Sequence, residues 1–359
     1  MFAAKNEFSS LKGKELLITG GAGMLGSSIA QFAVPAGAKV TVLDNMAPLY
    51  GGNLYNLHGI AAQVRFVKGD IRDQKLVSQL VRGKDLIFNL AAQVSYIDSN
   101  LDPFLDLDVN CKGHLTVLEA CRLHNPAARL IFASSRFVYG RIERNPVRED
   151  HPFNCLSVYG VHKLAGERYC QFYHEKHGLE ALIFRIANPY GPRQQMKHGK
   201  YGILNWFIRQ ALEGKPLTIY GDGRQARDYI YNDDIVRGML LGAMSKIPYD
   251  VFNIGSGTGT AFGDMARLIA EHVGGVEVVP RPWPKERYFV ETGDYVGDIS
   301  KIRKALSWEP KVSIAEGVAR TVAYYREHCA RYGFKAYSAA SKGVITSSAR
   351  RASGAKRRG

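Results

Sequence analysis

Three residue types at particular spacings carry the chemistry that can be read from this chain. Tyr159 and Lys163 lie four apart in Tyr-Gly-Val-His-Lys. On a helix, positions i and i+4 share a face. A phenol is a weak base near its ordinary pKa of about 10, and a neighbouring ammonium is expected to favour the phenolate. Ser135 stands in Ala-Ser-Ser-Arg-Phe-Val-Tyr-Gly, directly after an apolar run that reads as a strand. Its hydroxyl is therefore expected at the strand's carboxyl end, where it can hydrogen-bond a reacting hydroxyl. A tyrosine base, a lysine and a serine suit proton removal from an alcohol as it is oxidised.

An oxidation needs an acceptor, and a second motif supplies a place for one. Thr-Gly-Gly-Ala-Gly-Met-Leu-Gly, residues 19–26, follows the first apolar run and precedes a helical pattern. Both glycine spacings fit a dinucleotide loop: Gly21, Gly23 and Gly26, or Gly20, Gly23 and Gly26. Such glycines give a tight turn and close backbone approach to a pyrophosphate at a helix N-terminus, where Met24 and Leu25 would begin the helix. Asp44 and Asn45 end the second strand pattern. An acidic residue there accepts from a ribose 2′-hydroxyl and repels a 2′-phosphate, which favours NAD over NADP. Asp70 and Ile71 follow the third strand pattern and are read as contacts for the adenine, or Asp70 as a helix cap. Leu90, Ala91 and Ala92 follow the fourth and let a cofactor lie against the backbone. Asn110 falls in the next helical stretch, as a backbone or water ligand or as a surface residue.

The elements that must position these residues follow from periodicity. Near-continuous apolar runs at 15–19, 39–43, 64–67, 86–89, 130–133 and 181–185 alternate with helical patterns, among them 109–122 and 158–173. Strand–helix alternation with two-sided burial predicts a doubly wound parallel α/β sheet of Rossmann type. From about Asn188 the pattern turns irregular. We expect residues 1–187 to form the dinucleotide-binding domain, with 224–254 returning to it, and 188–339 mainly a smaller α/β substrate lobe. Residues 340–359 carry six basic side chains and no acidic one, and are read as a disordered basic tail.

The 359 residues include 48 Lys and Arg against 33 Asp and Glu, a formal charge of +15. Without the tail, 42 basic and 33 acidic residues remain, an excess that suits a cleft receiving phosphates. No nucleic-acid motif accompanies the charge, so a nucleic-acid partner is not expected. Neither is a membrane span, since no apolar run approaches the required length. Five cysteines without a CxxC pair argue against a disulfide framework or a metal centre and for a reducing, cytoplasmic setting.

Taken together these motifs resemble the extended short-chain dehydrogenase/reductases, in the nucleotide-sugar epimerase/dehydratase group, over roughly residues 14–330. The Asn-Pro-Tyr-Gly-Pro-Arg segment at 188–193, Arg-Asp-Tyr-Ile-Tyr-Asn-Asp-Asp at 227–234 and Asp-Ile-Ser-Lys at 298–301 belong to the same resemblance. It implies NAD as cofactor, Asn188 and Arg227 on the substrate diphosphate, and a homodimer built on helices near 109–122 and 158–173. It also implies Tyr159 as base, Lys163 on the nicotinamide ribose and Ser135 on the sugar hydroxyl, usually at C4. A 4,6-dehydratase would carry an Asp-Glu pair directly after Ser135, whereas this chain has Arg136 and Phe137. Epimerisation through a transient 4-keto sugar, with hydride returned to the opposite face, is the economical reading. A dehydratase, a keto-sugar reductase and a non-catalytic NAD-binding regulator are the alternatives.

Departures from the pattern carry their own expectations. Arg136 is read as pairing outward with Glu143 or Glu149, or else as a substrate contact able to read a carboxylate. Arg281 is matched to the arginine of the family's Arg-x-Gly-Asp segment near the phosphates, with the Gly-Asp absent after it. Arg227 has Asp228 and Asp233 as competing partners. The basic loop at 196–201 is read as solvated, or else as able to close over the ligand.

Overall fold

The computed structural model describes residues 7–283 and 292–337. The basic tail expected at 340–359 lies outside the described residues. Six strands come from the first half of the chain: β1 (Glu15–Thr19), β2 (Lys39–Asp44), β3 (Val64–Lys68), β4 (Leu86–Asn89), β5 (Arg129–Ser135) and β6 (Ala181–Ile186). Later strands are β7 (Asn188–Tyr190), β8 (Leu217–Tyr220), β9 (Ala226–Tyr231), β10 (Tyr249–Ile254), β11 (Gly259–Ala261) and β12 (Val278–Arg281). The helices that matter below are α1 (Met24–Ala33), α2 (Gln74–Leu80), α3 (Tyr96–Leu101), α4 (Pro103–Leu107), α5 (His114–His124), α6 (Val158–His177), α7 (Ile203–Leu212), α8 (Asn232–Met244), α9 (Phe262–Val273), α10 (Ser300–Leu306) and α11 (Ile314–His328).

The large sheet has seven strands in the order β10-β6-β5-β4-β1-β2-β3, every pair parallel. The order reverses between β1 and β4, and ligands bind outside the carboxyl ends of strands at such a switch point. One face packs α1 and α8 through Ile29, Ile235, Met239 and Phe252, among others. The other packs Leu17, Ile87, Val117, Leu130 and Cys170. Continuous apolar strands are what two covered faces require.

The segment 224–254 divides between the two parts of the fold. β10 is the seventh strand of the large sheet, whereas β9 pairs with β7 and β11 in a separate three-stranded sheet. Ile299, Ile302, Leu306 and Trp308 also return to the core of the large sheet. The smaller lobe has its own core, made by α7, α9 and α11 around residues such as Phe207, Ile269 and Tyr325.

The expected helix over 109–122 is continuous in direction but not in winding. Residues Asp108–Gly113 form a π-turn that leads into α5. Extra residues in a helical turn often mark functional sites. Asn110, inside this turn, is buried and donates from Nδ2 to the Gln93 carbonyl at 2.9 Å, while its Oδ1 has no partner among the described residues. The reading of Asn110 as a surface residue is thereby excluded.

Candidate active site

The glycine loop is shaped by contacts that only glycine allows. Gly20 has φ +66°, and a Cβ there would lie 2.9 Å from the Ala91 nitrogen. A Cβ on Gly26 would lie 2.5 Å from the Gly20 oxygen. Gly20, Gly23 and Gly26 line the cavity above the sheet, while Gly21 packs towards Val42, so the second of the two possible spacings is the one that faces a ligand. Gly23 caps α1 with no side chain over the helix end, leaving the positive end of the helix open to an anion.

Asp44 ends β2 beside this loop. Its Oδ2 accepts from the Ala22 amide at 3.0 Å and Oδ1 from the Met46 amide at 2.8 Å. Burial nevertheless pushes its carboxyl above the ordinary value. Asp70 is held differently. The Arg72 guanidinium clamps both of its oxygens at 2.9 Å, Asn45 adds a third bond, and the acid is held down at about 2. Asp73, not Asp70, caps α2. Met24, Leu25, Asn45, Ile71, Leu90, Ala91 and Ala92 also line the cavity. A bare helix end, a glycine cradle and a carboxylate at the end of β2 fit an adenine dinucleotide.

The cavity encloses about 730 Å³ and runs from this loop across the ends of β1, β4 and β5 into the smaller lobe. Ser135, Tyr159 and Lys163 meet in its middle. Ser135 is the last residue of β5. Tyr159 and Lys163 share one face of α6, whose first turn is held by side chains. Ser157 caps the Gly160 amide, Asn100 accepts from the Val158 amide at 3.0 Å, and Ser99 accepts from the Tyr159 amide at 3.1 Å. A Cβ on Gly160 would come 2.5 Å from the Phe137 oxygen, so glycine lets the helix start against the turn after β5. Ser99 and Asn100 were missed in the sequence because a capping contact from another helix has no local spacing.

The electrostatics differ from expectation. Lys163 Nζ donates to the Ala133 carbonyl at 2.9 Å, and burial lowers its pKa to about 8. Tyr159 is hydrogen-bonded to Ser135, but burial raises its phenol well above the ordinary value, with Asp106 adding to the rise. The expected lowering of the phenol by Lys163 is not found, because the ammonium is turned to a backbone carbonyl in a site where desolvation dominates. A phenolate here needs additional positive charge.

Arg136 corrects another expectation. It is buried and lines the cavity instead of pairing outward with Glu143 or Glu149. Its Nε donates to Asn188 Oδ1 at 3.1 Å and Nη1 to Thr292 Oγ1 at 3.0 Å. Glu149 is engaged elsewhere, by the Asn253 amide, and Glu143 by Asn154. Asn188 donates in turn to the Asp228 carbonyl. Arg227 lines the same region and donates to the carbonyls of Ala226 and Gly293. Its competing partner Asp228 accepts instead from Ser256, Gly257 and Gly297.

Arg281 is not brought to the site: it is exposed, and Trp283, two residues on, lines the cavity in its place. A Gly-Asp pair does exist, at Gly293-Asp294, and Thr292 beside it lines the cavity. The 196–201 loop is not merely solvated. Lys200 Nζ lies 2.6 Å from Asp98, Lys197 donates to the Pro48 carbonyl, and His198 reaches the Leu49 carbonyl at 3.1 Å. These bonds tie the 196–201 loop to the loop after β2 and to α3.

Comparison with known proteins places this geometry among relatives. A model of the NAD dependent epimerase/dehydratase family matches residues 16–255. A putative UDP-glucose 4-epimerase of Methanocaldococcus jannaschii is 33% identical over 317 residues, 87% of this chain and 99% of the relative. A dTDP-glucose 4,6-dehydratase of Streptomyces niveus is 32% identical, over 87% of this chain and 93% of its own length. The crystal structure of a Thermotoga maritima UDP-glucose 4-epimerase with UDP-glucose superposes with a TM-score of 0.81 at 33% identity, covering 88% of this chain and 99% of the other. The chain belongs to the NAD-dependent epimerase/dehydratase family, an extended short-chain dehydrogenase/reductase group whose cofactor is NAD.

Proposed function

We propose that this protein epimerises a nucleotide-activated sugar, at C4, through a transient 4-keto sugar. The observation that carries this reading is the composition of the cavity around Ser135. Among the described residues, the acidic side chains lining the cavity are Asp44 and Asp70, both beside the glycine loop, while Arg136 and Phe137 stand directly after Ser135. A dehydratase must remove a proton from carbon and deliver one to a leaving hydroxyl. Guanidinium, which does not deprotonate, and phenylalanine cannot do that.

In this reading Tyr159 accepts the proton of the sugar hydroxyl, and Ser135 orients that hydroxyl and holds Tyr159 in line. Lys163 binds the nicotinamide ribose and keeps a positive charge beneath the site. Bound NAD⁺ supplies the hydride acceptor and the positive charge that the phenolate requires. Asp44 accepts from the adenosine ribose, and the open end of α1 takes the pyrophosphate. Asn188, Arg136 and Arg227 face the sugar nucleotide, where a guanidinium pairs well with phosphate. Once the keto sugar has rotated it would take the hydride back on its opposite face while Tyr159 returns the proton to its oxygen, so the cofactor would end each cycle as it began.

A second copy of the chain is part of the proposal. Leu101, Phe104, Leu107, Val161 and Phe172 are exposed on adjoining helices α3, α4 and α6. Apolar groups gathered this way mark an interface. Among the described residues no helix is long and apolar enough to cross a membrane.

The dehydratase relatives make elimination the second reading, and turnover in D₂O separates the two. The purified protein is given a panel of nucleotide sugars, uronates included, and products are identified by mass and NMR. C4 epimerisation returns the same hydride, so product without carbon-bound deuterium is expected. Deuterium at C5 or C6 overturns the reading.

A further inference from the structure

Between the glycine loop and the catalytic helix runs a chain of buried polar groups that the proposed chemistry does not use. Thr19 Oγ1, at the end of β1, accepts from the amides of Leu90 and Ala91 at 3.1 and 3.2 Å. It donates to Asn89 Oδ1 at 2.7 Å. Asn89 Nδ2 lies 2.7 Å from His114 Nδ1, and His114 Nε2 lies 3.1 Å from the Gly166 carbonyl of α6 and 3.4 Å from the Cys170 thiol on the same helix. A carbonyl only accepts, so Nε2 carries the imidazole hydrogen and Nδ1 accepts from Asn89. Every link donates in one direction, from the Leu90–Ala91 backbone to α6. Thr19, Asn89 and His114 are buried, so each link is made in a setting where an unmade one is costly.

The far end of the chain lies against the catalytic lysine. Gly166 follows Lys163 by three residues. The Phe132 ring stacks on His114 at 4.2 Å and carries Lys163 Nζ 4.9 Å from its centroid. A Cβ on Gly166 would lie 2.7 Å from that ring, so α6 sits directly on Phe132 and His114. The near end lies against the glycine loop, since Ala91 is the residue Gly20 approaches. The imidazole is kept neutral: burial and the charge of Lys163 hold its pKa down at about 3.

We propose that His114 is a positioning residue for the reaction. With Asn89 and Thr19 it sets α6, and with it Tyr159 and Lys163, at a fixed height over the backbone that cradles the dinucleotide. This rests on the reading given under Proposed function. A hydrogen bond serving stability alone would, when lost, lower the melting temperature and leave the chemistry of the folded fraction unchanged.

The test uses the holoenzyme and the best nucleotide sugar from the panel. His114→Phe keeps a ring on Phe132 and removes the bonds to Asn89 and Gly166 together with the contact to the Cys170 thiol. His114→Gln retains an amide donor for Gly166. The expected result is a kcat about tenfold lower in H114F with KM within about twofold, and a displacement of the pH limb that Lys163 governs. H114Q should recover most of the lost kcat. Thr19→Val, at the other end of the chain, should show the same split between kcat and KM, and it replaces H114F as the test if that variant does not fold. Wild-type kcat and pH profile in the folded variants overturn the inference. So does a loss that H114Q fails to restore. A wild-type protein that turns over no nucleotide sugar overturns the parent reading and this inference together; wild-type turnover with unaffected variants overturns the inference alone.

Discussion

Tyr159 is buried with its phenol pushed up, and Lys163 is buried with its ammonium pulled down to about 8. These opposite shifts have one cause, desolvation of the charged form, and they assign different tests to the two residues. Tyr159→Phe removes the only atom proposed to take the sugar proton. It should lower kcat by about 10²–10⁴-fold while leaving NAD bound, measured as cofactor co-purifying with the variant. Lys163 is charged below its lowered pKa and neutral above it. Activity that needs its charge should therefore decline as pH rises through about 8, and Lys163→Met should be slow throughout with that limb gone. His114 gives a stability test with the opposite limb. Its folded pKa of about 3 lies below the ordinary 6.5, so the folded state binds fewer protons than the unfolded chain between those values. Stability contributed by the neutral imidazole is present above about 6.5 and is lost as pH falls towards 3. Denaturant melts at pH 7 and pH 5 should show a larger loss for wild type than for H114Q; equal losses would remove His114 from the account.

At the scale of elements, α6 is fastened to the sheet by an ion pair as well as by His114. Glu167 lies on α6 and Arg185 on β6. Arg185 Nη2 meets Glu167 Oε2 at 2.7 Å, and Ser134 donates to Oε1 at 2.5 Å. Both side chains are buried, and removing one partner of such a pair costs about 3–5 kcal/mol by leaving a charge unpaired. Arg185→Met should therefore unfold at a much lower urea midpoint, and a change of under about 1 kcal/mol would show the pair to be dispensable. This scale also marks what was legible in the sequence. The strands declared themselves because residues such as Leu16–Ile18 and Leu130–Phe132 face apolar layers on both sides. The glycine loop did so because Gly20 and Gly26 tolerate no Cβ. Arg136 could not be oriented in advance, since a long side chain after a strand end can turn either way and its partners, Asn188 and Thr292, are far along the chain. The π-turn around Asn110 was invisible because no proline announces it, and its single glycine, Gly113, comes at its end. Arg281 was matched to the site on its arginine alone, without the Gly-Asp that should follow it, and the structure leaves it exposed at the end of β12. A tetrapeptide pattern in an irregular lobe has no periodicity to fix its register.

At the scale of the molecule, the exposed side of α3, α4 and α6 is the least like a finished surface. Leu101 is 75% exposed and Phe104 78%, while Val161 and Phe172 are each 51% exposed. Directly behind this face lie Asp106, fully buried and bonded to His162 at 2.7 Å, and then Lys163. The face thus belongs to the same helix that carries Tyr159 and Lys163, and a partner covering it would brace α6 from outside, opposite its inner contacts through Gly166 and Glu167. Burial of apolar area contributes roughly 25 cal/mol per Å², so large exposed side chains such as Phe104 carry much of the drive to associate. Phe104→Glu puts a charge into that contact, at a side chain that does not itself line the cavity. The expected result is a wild-type dimer by light scattering, a monomer for the variant at the same concentration, and a lowered kcat that rises again as the variant is concentrated. A monomeric wild-type protein removes the dimer from the proposal. A monomeric variant with full kcat keeps the dimer and shows that the inner contacts of α6 suffice to hold Tyr159 and Lys163 in place.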